Sequence, residues 1–142
     1  MGERILVPFD GSPLAERALD RAVTMHPGAE ITVLHVIDPI RVVYVAESEG
    51  LASAETWHER MTERARELCA DAEALAAEHG CEVTTAIETG SPAREILDYV
   101  DEHGIEHVVM GSHGRSGVSR LVLGSVAEQV MRQSPVAVTI VR

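Results

Sequence analysis

What most constrains this chain is a regular alternation of two hydrophobic periods. Short β-branched runs stand at residues 4–9 (RILVPF), 30–37 (EITVLHVI), 81–88 (CEVTTAIE), 107–110 (HVVM) and 136–141 (VAVTIV). Near-continuous apolar runs of this length fit strands buried on both faces. Between them, apolar residues recur every three to four positions, the period of an amphipathic helix. Such alternation predicts a parallel sheet built from right-handed βαβ units, with helices on both faces. The expected class is α/β: a three-layer α/β/α sandwich around a five-stranded parallel sheet.

The helical segments carry start and stop signals. Ser12-Pro13 and Ser91-Pro92 put serine at the N-cap and proline at the first helical position. Leu14, Ala15, Ala18, Leu19, Ala22 and Val23 make the inward stripe of the first helix, which His26-Pro27-Gly28 stops. Residues 54–79 read as a long helix with Trp57, Met61, Ala65, Leu68, Ala72, Leu75 and Ala76 on its apolar face, closed by Gly80. Ile96, Leu97 and Val100 are expected to point inward from the next helix, and Val130 and Met131 from the last. Residues 40–53 keep no period and read as a loop, a candidate flap. No linker, repeat or low-complexity stretch interrupts the chain. Residues 1–142 are therefore read as one domain, long enough to bury about two-thirds of its unfolded surface.

The stretch 111–126, GSHGRSGVSRLVLGSV, carries the chemistry. It follows a strand pattern, contains Gly111, Gly114 and Gly117, and ends on Gly124-Ser125. Ser125 with Glu128 three residues later reads as a helix N-cap and capping box. Glycines let backbone N–H groups approach a ligand, and a helix start adds unpaired donors and partial positive charge. Strand, glycine loop and helix N-terminus together suit a phosphate. The spacing G-x2-G-x9-G-S is neither the dinucleotide G-x-G-x-x-G nor the Walker G-x4-G-K-[ST]. The chain has no lysine, all twelve basic residues being arginines, so a Walker grip is excluded.

The net charge is −11. Such a chain repels nucleic acid and anionic membrane, so neither is expected as a partner. No apolar run approaches the ~20 residues of a membrane span. Cys69 and Cys81 make neither a disulfide framework nor a metal set. The start, MGER, runs into a strand without a secretory h-region, and a cytoplasmic location is the expectation.

The G-x2-G-x9-G-[ST] spacing, the opening ILVPFDGSPLAERAL, the second strand's LHVID and the closing PVAVTIVR together resemble the universal stress protein family. The likeness runs from end to end, with motifs in order and spacing. It implies the strand order 3-2-1-4-5 and membership of the ATP-binding subgroup, a nucleotide-dependent regulator in stress response. In that order the winding reverses between strands one and four, and ligands bind beyond the strand C-termini at that point. Asp10 and Gly111 would then face one crevice.

By the same resemblance, Gly111, Gly114, Gly124 and Ser125 hold the phosphates and ribose of ATP, and Val126 adds an N–H. Pro8 and Phe9 line the adenine side, and the backbone of Val36 recognises the base. Asp10 touches the ribose or helps to hold Mg²⁺ or Mn²⁺. Phe9 is larger than the family's usual residue, a departure in the base pocket. Plainer readings stand beside these. The glycines also serve turns, Ser125 can be only a cap, Asp10 can be only a turn residue, and Met110 beside the loop can be core. His113 flanks the glycines. Arg115 and Arg120 are either solvated or touch phosphate.

Ser12, Ser112, Ser116 and Ser125 have no nucleophile-elbow context, and no base is placed to orient an attacking water. Binding is therefore expected over turnover; the alternative is a weak ATP hydrolase or adenylyl-transfer enzyme. The last strand, Val136 to Val141, would lie on an open edge, which invites pairing. Family members commonly dimerise there, so a two-fold homodimer is expected.

Overall fold

The computed structural model of the protein describes residues 2–40, 47, 54–114 and 123–142. The elements are β1 (Arg4–Pro8), α1 (Pro13–Met25), β2 (Glu30–Ile37), α2 (Ala54–Ala77), β3 (Thr84–Thr89), α3 (Pro92–His103), β4 (His107–Gly111), α4 (Ser125–Gln133) and β5 (Ala137–Val141). The five strands are all parallel, in the order β3-β2-β1-β4-β5. Apart from Ile40 and Glu47, the candidate flap at 40–53 lies outside the described residues.

Strand pleating puts a core layer on each face of the sheet, since successive side chains point to opposite faces, and Ile37, Trp57 and Ala65 form a smaller third cluster. Ile5, Val7 and Phe9 of the β1 run, with Ile31, Val33, Val109 and Val141, pack under α1 and α2. The α1 stripe Ala15, Ala18, Leu19, Ala22 and Val23 and the α2 residues Leu68, Ala72 and Ala76 close that layer. On the other face Leu6, Leu34, Val108 and Met110 meet Ala93, Ile96, Tyr99 and Val100 of α3 and Ala127 and Val130 of α4. The central strands β1, β2 and β4 are covered on both sides, as their apolar runs require.

Several details differ from the sequence-based expectations, beyond shifts of one or two residues at element ends. Ala93 and Tyr99, not Leu97, join Ile96 and Val100 as the buried residues of α3. β3 begins at Thr84 rather than Cys81. The Cys81 N–H closes the end of α2 by donating to the Ala76 carbonyl (3.0 Å), and pairing with β2 starts at Thr32↔Thr84. Met131 is 48% exposed. Ala127 and Val130, three apart, take the inward positions of α4, and the next residue is turned out. Finally, α4 is capped by Gly124, not Ser125: Gly124 is extended (φ −64°, ψ 154°) and its carbonyl accepts from the Glu128 N–H at 2.9 Å.

Candidate functional site

β1 and β4 part company at their C-terminal ends. Their ladder runs through Ile5↔His107 and Leu6↔Val108, after which each strand continues with its outer neighbour. The Phe9 N–H donates to the Leu34 carbonyl and the Ser112 N–H to the Val141 carbonyl, both at 2.8 Å. The parting opens a cleft of about 550 Å³ at the point where the winding of the sheet reverses. That is the position at which open α/β sheets take ligands.

The floor and near wall come from the end of β1: Pro8, Phe9 and Asp10, with Val36 beside them on β2. The far wall comes from the end of β4 and the start of α4: Met110, Gly111, His113, Gly114, Gly124, Ser125 and Val126. Of the residues singled out in the sequence, Arg115, Ser116, Gly117 and Arg120 lie outside the described residues.

Geometry sharpens several of these assignments. Phe9 is 4% exposed and belongs to the core under α1 and α2, so it is a buried wall. Its N–H is spent on Leu34, and its carbonyl bonds the His35 ring through Nδ1 at 2.8 Å. Met110 is likewise core that borders the cleft. The Asp10 carboxylate accepts the Ser12 N–H through Oδ1 at 2.9 Å, an Asx-turn that starts α1. Its second oxygen is aimed at the glycine loop: a β-carbon on Gly114 would stand 2.5 Å from Asp10 Oδ2. The two motifs, more than a hundred residues apart in sequence, meet there.

The glycines are required by close packing as well as by any ligand. A β-carbon on Gly111 would stand 2.8 Å from Cβ of Leu14, so this glycine lets α1 lie against the end of β4. One on Gly124 would stand 3.0 Å from the Ser112 carbonyl oxygen and 3.1 Å from His113 Cα and Cβ. The Gly124 N–H donates to that same carbonyl at 2.7 Å and is thereby spent. The donors that α4 can offer are therefore the amides of its first turn, at Ser125, Val126 and Ala127.

The helix starts are unequal. α1 is capped by a side chain, with the Ala15 N–H donating to Ser12 Oγ at 3.3 Å. α4 has no side-chain cap bond, and neither has α3, whose Ser91, Pro92 and Ala93 also line the cleft. Two helix N-termini without side-chain caps thus border one cavity. Sequence reasoning missed Arg64, which enters from α2 and pairs with Glu67 at 3.3 Å. Its signal was its place on the edge of the apolar stripe, three residues after Met61 and four before Leu68, both of which also line the cleft. His35 and Asp38, both within the LHVID segment, and Gln129 are further lining residues to which sequence reasoning gave no role.

A doubly wound α/β domain fold with a switch-point cleft, walled by a glycine loop and a helix start, defines the class. The universal stress protein family model matches residues 1–142, and the chain belongs to that family. It is 33% identical over 149 residues to universal stress protein YxiE of Bacillus subtilis, covering 100% of both chains. It is 30% identical over 155 residues to universal stress protein MJ0577 of Methanocaldococcus jannaschii, covering 100% of this chain and 96% of that one. The solved structure of MJ0577 superimposes with a TM-score of 0.83 over 99% of this chain and 96% of its own. Universal stress protein UspA of Lactobacillus plantarum, 25% identical, gives 0.74 over 99% and 97%.

Proposed function

We propose that this universal stress protein binds ATP in the switch-point cleft and acts as a nucleotide-dependent regulator in stress response, residues 1–142 working as one unit. The observation that carries the reading is the start of α4, which borders the cleft, has no side-chain cap and offers the amides of Ser125, Val126 and Ala127. A helix N-terminus of this kind favours an anion through its unpaired N–H groups and its partial positive charge. In a chain of net charge −11 without lysine, backbone donors supply what ammonium groups would elsewhere. The Arg64 guanidinium, and the side chain of Arg115, add cationic charge. Gly111, Gly114 and Gly124 let the loop and the start of α4 close on Leu14, Asp10 and Ser112, which brings their backbone to the phosphates, and Ser125 adds a hydroxyl. Pro8, Phe9, Val36 and Met110 give the base an apolar slot, and His113 flanks the phosphate end.

Two proteins of the same fold support adenine nucleotides as the class to test. One universal stress protein, 23% identical, has been solved in complex with cAMP. That of Archaeoglobus fulgidus, 22% identical, has been solved with dAMP. At these identities the likeness itself is one of fold. Mg²⁺ or Mn²⁺ suits the site because such ions are held by one or two carboxylates plus substrate phosphates. Asp10 is the carboxylate in position, and bound metal would offset phosphate charge beside Asp10 and Asp38.

Calorimetric titration with ATP and Mg²⁺ tests the reading. Saturable binding that Gly124→Val removes supports it; no saturable binding overturns it. Phosphate release at a steady rate above the Gly124→Val background would convert the regulator into a hydrolase. β5 is an edge strand, and we propose that two copies pair along it as a homodimer. A monomeric mass by light scattering at micromolar concentration would refute the pairing.

A further inference from the structure

At the opposite end of the sheet, away from the cleft, three residues remote in sequence converge. Glu3 stands just before β1, His26 is the C-cap of α1, and His107 opens β4. Glu3 Oε1 lies 3.3 Å from His107 Nδ1, and Glu3 Oε2 lies 3.5 Å from His26 Nδ1. One ligand atom from each of the three lies within 4.8 Å of the others, and the two imidazoles meet edge to face with centroids 5.1 Å apart. The His107 side chain is only 12% exposed and that of His26 27%.

These separations are long for charge-assisted hydrogen bonds, which run at about 2.7–2.9 Å. The same chain makes a bond of that kind elsewhere, between His79 and Asp20 at 2.7 Å. The two carboxylate–imidazole distances, one through each oxygen of Glu3, are close to the roughly 3.3 Å between donor atoms around a tetrahedral ion with metal–ligand bonds of about 2.0–2.1 Å. The three-residue set closes within 4.8 Å. His107 Nε2 is bonded to Thr139 Oγ1 on β5 at 2.7 Å. A hydrogen bond at the far ring nitrogen fixes the ring orientation, the partner that metal-ligating histidines ordinarily have. His26 sits where the carbonyl end of α1 carries partial negative charge, which favours a cation. The nearby guanidinium of Arg4 is turned to Glu30 (3.4 Å).

We propose that Glu3, His26 and His107 form a site for a divalent transition metal of the Zn²⁺ type, with Thr139 positioning His107. Two imidazoles and one carboxylate supply three ligands and leave a fourth position for water. The ion would tie β1, the end of α1 and β4 together, with β5 joined through Thr139. The site is independent of the nucleotide reading, and its test uses no nucleotide.

Untagged full-length protein is titrated with Co²⁺ and followed by the intense visible absorption of a low-coordinate, imidazole-ligated ion, then by Zn²⁺ displacement. One Co²⁺ per chain, displaced by Zn²⁺, is expected. His26→Gln and His107→Gln abolish the signal, Thr139→Val weakens binding by about 10- to 100-fold, and His79→Gln changes nothing. The partly exposed His26 keeps the test valid should His107→Gln unfold, with circular dichroism reporting the fold. No saturable Co²⁺ binding by the wild type overturns the site, as does binding that survives His26→Gln.

Discussion

Gly124→Ala probes the junction on which the cleft depends. The backbone angles at 124 (φ −64°, ψ 154°) suit alanine, so the substitution introduces no dihedral strain. The cost is steric. The new β-carbon meets the Ser112 carbonyl oxygen at 3.0 Å and His113 Cα at 3.1 Å, backbone atoms that cannot swing aside. Relief requires α4 and the segment after β4 to separate, which stretches the 2.7 Å bond between the Gly124 N–H and the Ser112 carbonyl. Overpacking of this kind costs about 1–3 kcal/mol, and a chain of this length loses roughly 4 °C of Tm per kcal/mol. A fall of roughly 4–12 °C is expected in a calorimetric scan, with weaker ATP binding because the first turn of α4 has moved. Gly28→Ala is the matched control: φ is +84° with open space around it, so it strains the backbone far from the cleft. Unchanged Tm and ATP affinity in Gly124→Ala would refute the packing argument.

Other consequences are measurable. Ser12→Ala removes the cap bond to the Ala15 N–H and should cost about 1 kcal/mol in a urea unfolding curve; Ser91→Ala, whose side chain makes no cap bond, should cost distinctly less. Burial pushes the Cys69 thiol above its ordinary 9.0, with Glu73 adding to the rise and a hydrogen bond from Thr85 opposing it. Burial also pushes the Tyr99 phenol above its ordinary 10.0, with Glu88 adding and Thr32 opposing. The folded chain holds both protons more tightly than the unfolded one, so this stability is complete below about pH 9 and is lost as pH rises through the folded values. Urea midpoints should fall from about pH 9 upward, and Cys69→Ala with Tyr99→Phe should flatten the decline.

Much of the architecture can be read directly from residue pattern. The inward stripes of α1 and α2 are those the spacing predicts, and Ser12 caps α1 as its place before Pro13 indicates. The switch-point cleft follows from the strand order that the family resemblance implies, with Asp10 and Gly114 meeting across it. What escapes the sequence depends on contacts between distant segments. Serine outranks glycine as a cap by propensity, yet position 124 has no room for a β-carbon, so Gly124 takes the cap and Ser125 becomes the first helical residue. Phe9, which the resemblance puts on the adenine side, does line the cleft, but the pleat also sets it in the core, so it is a buried wall, which its neighbours in sequence do not reveal. Arg64 reaches the cleft from a helix without any motif, and His35 from within LHVID, where the sequence marked only the backbone of Val36. Glu3, His26 and His107 converge only once β1 and β4 lie side by side.

The central claim is that the first-turn amides of α4 hold the phosphates. Two-dimensional NMR of ¹⁵N-labelled protein during titration with Mg²⁺–ATP reads those amides one by one. Saturating shifts at Ser125, Val126 and Ala127, larger than those produced by adenosine, are the predicted result. Amide signals there that stay in place while ATP saturates, or the absence of any saturable response, would contradict it.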